Sequence, residues 1–329
     1  MTIIYKHQSL INKVIKNYKK LYWHYLSANP SAIPLLEKYM DKIDWEELST
    51  NPNAIHLLEK NPAKDPYEIE IRWAFLSANP NAIHLLEQNI DKINWAFLSE
   101  NPNAIHLLEE KLDQINWWAL SQNPNAIHLL EKHSDKIDWY NLSSNPNAIP
   151  LLEKNIDKIY WSNLSSNPNA IHLLEKNIDK INWQGLSLNP NAIHLLEQNI
   201  DKIIWDCLSQ NPNAIHLLEK NMDKIYWVDL SRNINAIQLL EQNPEQINWR
   251  NLSANPNAIS LLEKYNNKIH WENLSKNTNL FELDYLAMSK ERTKIIEQEL
   301  ASKALHPSRI HKYLDYFLEN GGDIWEFEF

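Results

Sequence analysis

Residues Trp45–Asn61 read WEELSTNPNAIHLLEKN, and residues Trp183–Asn199 read WQGLSLNPNAIHLLEQN. The phrase returns every 22 residues, and each copy opens on a tryptophan: Trp23, Trp45, Trp73, Trp95, Trp117, Trp139, Trp161, Trp183, Trp205, Trp227, Trp249 and Trp271. Only the step from Trp45 to Trp73 is longer, at 28. A fixed period of this size builds a stack in which each unit touches only its neighbours, rather than a globule around one core. The expected fold is all-α: a superhelical α-solenoid of 22-residue two-helix repeats with helical end caps.

Within one copy, Asn51-Pro52 reads as a helix start, because Asn caps orphan N–H groups and Pro suits the first helical turn. Ala54, Ile55, Leu57 and Leu58 then fall on one side of a 3.6-residue wheel, and His56, Glu59 and Lys60 on the other. This predicts a helix of roughly ten residues, ended by Asn61 as a left-handed cap. The second helix is shorter. Asp44 caps it before Trp45, Glu47 completes a capping box, and Ile43 with Leu48 forms a hydrophobic staple. Neither helix is stable alone at this length, so stacking must supply the core. The tryptophans Trp45, Trp73, Trp95, Trp117, Trp139, Trp161, Trp183, Trp205, Trp227 and Trp249 are the expected structural core of the repeats. The Ser four residues after each Trp (Ser27 through Ser275) and the Asn six residues after it (Asn29 through Asn277) never vary. They read as caps and as a hydrogen-bonded ladder between neighbouring turns.

The expected organisation is an N-terminal capping helix over 1–20, eleven full repeats and one half over 21–279, and a C-terminal helical cap with an aromatic tail over 280–329. An insertion over 61–72, NPAKDPYEIEIRW with its flanking Trp, reads as a projecting loop. In the N-terminal helix Ile4, Ile11, Ile15 and Tyr18 are placed toward the core, and Lys6, Lys13, Lys16, Lys19 and Lys20 outside. At the other end, a helix near 284–304, a break at His306-Pro307 and a second helix to about Glu319 are expected to cover the open end of the stack.

The chemistry is sparse. The net charge is −10, with 32 Lys and Arg against 42 Asp and Glu, which argues against a phosphate-binding groove. One cysteine, Cys207, excludes an intrachain disulfide. Three glycines, Gly185, Gly321 and Gly322, leave no phosphate-cradling loop. No apolar run is long enough to span a bilayer, and the N-terminus has no signal-peptide core, so a cytoplasmic setting is expected. Seven histidines share one repeat position: His56, His84, His106, His128, His172, His194 and His216. Equivalent residues in adjacent repeats lie about 10 Å apart, and no carboxylate or thiol recurs beside these histidines at ligand spacing, so no metal site and no cofactor are expected. No catalytic arrangement survives inspection, and the chain reads as a non-enzyme.

What varies from copy to copy is the pair of residues after each Trp. In the third to sixth repeats this pair includes Phe75, Phe97, Trp118 and Tyr140; in the eighth and later it is mostly polar or charged, with Gln184, Asp206, Asp229, Arg250 and Glu272. An exposed aromatic stripe suits a protein partner, and these four are the expected partner-binding residues. The competing class is a repeat-based nucleic-acid-binding protein, disfavoured by the charge.

The phrase LSxNPNAIxLLExNxDKIxW, followed by FELDYLAMSKERTKIIEQELASKALHPSRIHKYL, resembles the short-repeat proteins of giant nucleocytoplasmic DNA viruses over roughly residues 20–320. The resemblance implies a viral protein in the host cytoplasm or the virion; the repeat surface itself is read as a protein–protein interaction scaffold that captures a host factor. It supplies no catalytic residues. In its alternation of a longer and a shorter helix, the repeat also resembles the leucine-rich-variant solenoids.

Overall fold

The computed structural model describes residues 6, 8–60, 66–281, 285–304 and 307–319. Among the described residues there are helices and turns and no strand, as an all-α repeat solenoid requires. Two compact units divide the chain: Ser9–Phe281, and Met1–Gln8 together with Glu282–Phe329. The second unit carries helices Tyr285–Ala304 and Pro307–Glu319. Gly321-Gly322 and the tail from Asp323 lie outside the described residues, as does Ile4.

Each repeat described in full is the expected short α-helix, a polar corner, the expected longer α-helix, which is in fact about as long as the first, and a 3₁₀ turn. Trp117–Gln122, Ile127–Lys132 and Ser134–Lys136 are one such set. The side chain of Asp44 accepts from the Glu47 N–H at 3.2 Å, as a cap should. The longer helix is shorter than expected. It begins at Ile55 rather than Asn51 and ends at Lys60, because the Asn-Pro-Asn corner spends three residues turning the chain. Asn61, expected as its left-handed cap, lies outside the described residues, and the equivalent Asn89 is not left-handed. Asn89 has φ −137° and ψ 52°, and its side-chain amide donates to the Leu85 carbonyl at 2.9 Å. That bond satisfies an orphan carbonyl, which is the task a left-handed cap otherwise performs.

The interior is aliphatic and small. Leu120, Ala126 and Leu130 are fully buried, and the equivalent Leu, Ala and Leu recur in neighbouring repeats. The tryptophans Trp45 through Trp249 are half-buried rather than interior. All but Trp73 open a short helix at an edge of the stack, and a cation covers several of them: Lys180 Nζ lies 4.8 Å from the Trp161 ring centroid, Lys202 Nζ 4.8 Å from that of Trp183, and the Arg72 guanidinium 5.2 Å from that of Trp45. Trp is the largest side chain, and it packs one face inward and turns the other to a lysine stem.

Ser and Asn build the expected ladder. Ser165 Oγ donates to the Trp161 carbonyl at 2.7 Å and accepts from the Asn182 N–H at 2.9 Å. Asn189 Nδ2 donates to the Ser165 and Asn167 carbonyls of the preceding repeat at 3.1 and 2.9 Å, and its Oδ1 accepts from the Asn191 N–H at 3.0 Å. Among the described residues no buried side-chain polar atom lacks a partner. The chain can therefore bury an Asn and a Ser per repeat without the desolvation cost of unpaired groups.

The same ladder runs across the two ends of the array. Asn29 Nδ2 donates to the Ser275 and Asn277 carbonyls at 3.1 and 2.9 Å, as Asn51 Nδ2 donates to those of Ser27 and Asn29 at 2.9 and 3.0 Å. The Tyr22 N–H donates to Ser275 Oγ at 3.1 Å, as the Asp44 N–H donates to Ser27 Oγ at 2.9 Å. The first repeat thus follows the twelfth as any repeat follows its predecessor, and the unit Ser9–Phe281 is a closed ring. An open curved rod was expected; instead its contour of roughly 100–120 Å is a circumference.

The twelfth repeat is assembled from both ends of the ring. Trp271–Ser275 supplies its short helix, and Gln8–Lys16 stands in place of its longer helix. Leu10, Ile11 and Val14 are buried, the Leu10 N–H donates to Glu263 Oε1 at 3.2 Å, and Lys20 Nζ lies 5.5 Å from the Trp271 ring centroid, as Lys92 covers Trp73. Residues 9–20, expected as a cap, belong to the ring, and the stack has no open end to cover. The insertion differs as well. Residues 61–65 lie outside the described residues, but Pro66–Ala78 is one helix that extends the short helix of the third repeat backward from Trp73.

Candidate functional site: the inner row of short helices

Neighbouring short helices pack side by side at most steps around the ring, whereas neighbouring longer helices approach less closely. On a closed ring, spacing grows with radius, so the short helices form the inner row. In each of them the third and fourth residues after the Trp, such as Leu120 and Ser121, point into the core. On a 3.6-residue wheel the first and fifth residues then point away from it, toward the opening that the ring encloses, while the second lies against the neighbouring short helix, where Ala119, Asn141, Cys207 and Asn251 are buried.

The structure places Phe97, Trp118 and Tyr140 exposed on this inner surface, 37 %, 53 % and 51 % accessible, and Phe75 half-buried. They lie on consecutive repeats and form an arc. The rings of Phe75 and Phe97 meet edge to face at 6.3 Å between centroids, and Tyr140 meets Tyr160 the same way at 5.5 Å. The backbone beneath is fixed: Asn141 Nδ2 donates to the Trp118 carbonyl at 3.2 Å and Asn163 Nδ2 to that of Tyr140 at 3.0 Å.

Tyr160, 51 % accessible, was not among the residues expected from the sequence. It stands one place before Trp161, where other repeats carry a capping Asp or Asn. Asn94, Asn116, Asp138, Asn182 and Asn248 all accept from the N–H three residues on. Tyr22, Tyr160, Ile204 and Tyr226 occupy the same position and make no cap bond, and all four are exposed. The readable signal is a capping position given over to a large apolar side chain. Val228, also exposed, lies beside Tyr226, so the later repeats are less uniformly polar than expected.

The histidines form a second, outer array. His84 Nε2 lies 3.0 Å from Glu59 Oε1, His106 Nε2 2.9 Å from Glu87 Oε1 and His194 Nε2 2.6 Å from Glu175 Oε1. A carboxylate therefore does recur beside them, contrary to expectation. It belongs to the preceding repeat and is 19 residues back in sequence in most copies, which hides it from a search within one repeat. Each pair is half-exposed and bridges two of the more widely spaced longer helices. Among the described residues no group of three or more His, Cys, Asp or Glu is placed to hold a metal.

Cys207 sits where Phe97 and Asn141 stand in their repeats, and it is buried. Burial, with the neighbouring Asp206 carboxylate next in weight, pushes its thiol up to about 11, so it is a poor nucleophile at neutral pH. No helix among the described residues is long and apolar enough to cross a membrane. No protein family, no curated protein and no solved structure matches the chain.

Proposed function

We propose that the ring is a protein-interaction scaffold whose inner arc, Phe75, Phe97, Trp118, Tyr140 and Tyr160, binds a protein partner. The observation that carries this reading is the missing cap at Tyr160. A capping Asp or Asn contributes about 1 kcal/mol to a helix, and this repeat forgoes it to hold an aromatic ring half in water, against a second ring. A residue that costs stability and covers nothing of the core is spent on a surface. Large exposed aromatics on a fixed backbone are what binding hot spots are made of.

A protein suits the arc better than a nucleic acid. In the second to seventh repeats the first two positions after the Trp carry Glu46 and Glu47 and no Lys or Arg, so they offer nothing to neutralise phosphates. The resemblance to giant-virus repeat proteins supports a host protein as partner, met in the cytoplasm of an infected cell.

The test uses two substitutions with opposite effects on stability. Tyr160→Asp restores the cap and should raise folding stability by about 1 kcal/mol while weakening capture of the partner in affinity purification from host cells. Trp118→Ala combined with Tyr140→Ala should abolish capture with circular dichroism unchanged. Partner retention by both variants would remove the arc from consideration.

A further inference from the structure

The first residue of the 3₁₀ turn is a large exposed aliphatic in seven repeats: Met40, Ile90, Leu112, Ile156, Ile178, Ile200 and Met222. The other described side chains at this position are Ser134, Pro244 and Asn266. Single exposed apolar residues need no explanation, but these seven are not scattered. In a closed ring of equivalent repeats, equivalent positions lie on one circle about the ring axis. The turns also lie on a definite edge. Several of their lysines cover tryptophans of the short helices, with Lys158 Nζ 4.6 Å from the Trp139 ring centroid and Lys180 Nζ 4.8 Å from that of Trp161. The rings of Tyr39 and His133, one residue before the turn, meet Trp23 and Trp117 at 5.6 and 5.2 Å. The 3₁₀ turns and the N-termini of the short helices thus form one edge of the ring. That edge carries a circle of aliphatic side chains and a concentric circle of half-buried tryptophans.

We propose that this edge is the interface of a face-to-face dimer, and that its occupant is a second copy of the ring. The match is geometric first. A circle of side chains repeated at a fixed angular step is met in full only by a surface with the same radius and step, and another copy has both. Charge agrees. Next to six of the seven aliphatics stand an acid and a base in alternation, as Asp41 with Lys42, Asp179 with Lys180 and Asp223 with Lys224, their side chains well exposed. Rotation of one ring about the shared axis sets the lysines of one copy between the acids of the other. Area agrees as well. Seven aliphatics left nearly half-exposed present on the order of 500 Å² of apolar surface. With the lysine stems and tryptophan edges, this approaches the roughly 800 Å² per partner of a standard interface. The opposite edge carries the Asn-Pro-Asn corners, where Asn103, Asn125 and Asn169 are exposed and polar. A two-fold contact on the apolar edge therefore closes at two rings instead of propagating. This inference is independent of the partner-binding arc.

The experiment is sedimentation equilibrium of the full chain from 1 to 100 µM, with Ile90→Asp, Ile178→Asp and Ile200→Asp combined as the variant. All three sites are exposed, and circular dichroism checks that the fold is kept. If the charges unfold it, Ile→Ser at the same sites serves instead. The wild type should have twice the chain mass of 38.8 kDa, and the variant should be a monomer with at least a hundredfold weaker association. A wild type that stays monomeric throughout overturns the proposal, as does a variant that still dimerises. Mass growing past two chains with concentration would mean open stacking and also overturns it. So would a monomer that floats with phosphatidylcholine vesicles, which would assign the edge to a lipid surface.

Discussion

Replacing Asn29 by Ala separates a closed ring from an open rod. In a rod, Asn29 belongs to the first repeat and has nothing before it, so its loss removes only what Oδ1 accepts locally, from the Ser31 N–H at 3.0 Å and the Ser31 hydroxyl at 2.9 Å. Ser31 is half-exposed, water can replace those bonds, and the cost is below about 1 kcal/mol. In the ring, Nδ2 also holds the Ser275 and Asn277 carbonyls, across a side chain that is 3 % exposed. The Asn277 carbonyl keeps the Leu280 N–H. The Ser275 carbonyl loses a buried partner, at about 1–3 kcal/mol, and the lost corner cap adds about 1. The sum is about 2–4 kcal/mol, the same as for Asn167→Ala in mid-array, which severs equivalent bonds to Ser143 and Asn145. Urea denaturation of the two variants side by side gives the comparison. Because repeat arrays can unfold in parts, hydrogen exchange of the Tyr22 amide supplies a local readout. That amide donates to Ser275 Oγ in the ring and should be protected as well as the Asp44 amide is. A near-silent Asn29→Ala beside a damaging Asn167→Ala, with a fast-exchanging Tyr22 amide, would refute the closure.

Three further outcomes follow from the geometry. Trp161→Ala should cost about 2–3 kcal/mol, at the low end for a large aromatic, since the ring is half-buried beneath Lys180; a loss above about 5 kcal/mol in thermal denaturation would mean it is true core. Zinc should leave the melting temperature unchanged, because His84 and Glu59 offer two donors where a stable site needs three or four; a stoichiometric upward shift would contradict this. Cys207 has its folded-state thiol raised above the ordinary value of 9.0, to about 11, so the folded state holds its proton more tightly than the unfolded one. The stabilisation is complete below pH 9 and is lost as pH rises through 11; Cys207→Ser should remove that part of the alkaline decline in stability, and an identical pH profile would refute the assignment.

The repeat period, the helix pair and the Ser–Asn ladder were legible because each is written many times in one chain, and a cap or an aliphatic stripe has the same meaning in every copy. What lay hidden are relations between copies. The His–Glu pairs join residues that no single repeat contains. Closure depends on the angle between repeats, which no single residue encodes. It left one trace: residues 10–22 align with 32–44, placing Leu10, Ile11 and Val14 where Ala32, Ile33 and Leu36 stand and Leu21 where Ile43 stands. That alignment marks the N-terminal segment as the second half of a repeat whose first half lies at Trp271. The tryptophans were overestimated as core because size suggests burial, while their place at the start of an edge helix leaves one face for a lysine. Tyr160 was missed because its position reads as a cap in most copies.

Splitting the twelfth repeat between the ends of the ring also changes what the termini do. In an open solenoid the two end repeats each lack a neighbour and must be given a polar outer face. Here Leu26 in the first repeat and Leu274 in the last are as fully buried as Leu142 in the middle, so no repeat pays that penalty. The seam is nonetheless distinct. Ser31 stands where other repeats carry an Asn such as Asn53, which donates to the Pro30 carbonyl at 3.1 Å, and Pro34 stands where His56 meets Glu37. Two exposed cross-repeat contacts are therefore missing between the first repeat and the twelfth, whose two halves come from opposite ends of Ser9–Phe281, while the buried Asn29 bonds and the Lys276–Tyr25 contact, 3.8 Å from ammonium to ring centroid, remain. The buried ladder carries most of the energy of any such interface, since exposed ion pairs contribute about 0–1 kcal/mol each. The ring is thus held shut by the same groups that stack its repeats, and the two contacts it lacks are the ones it can spare.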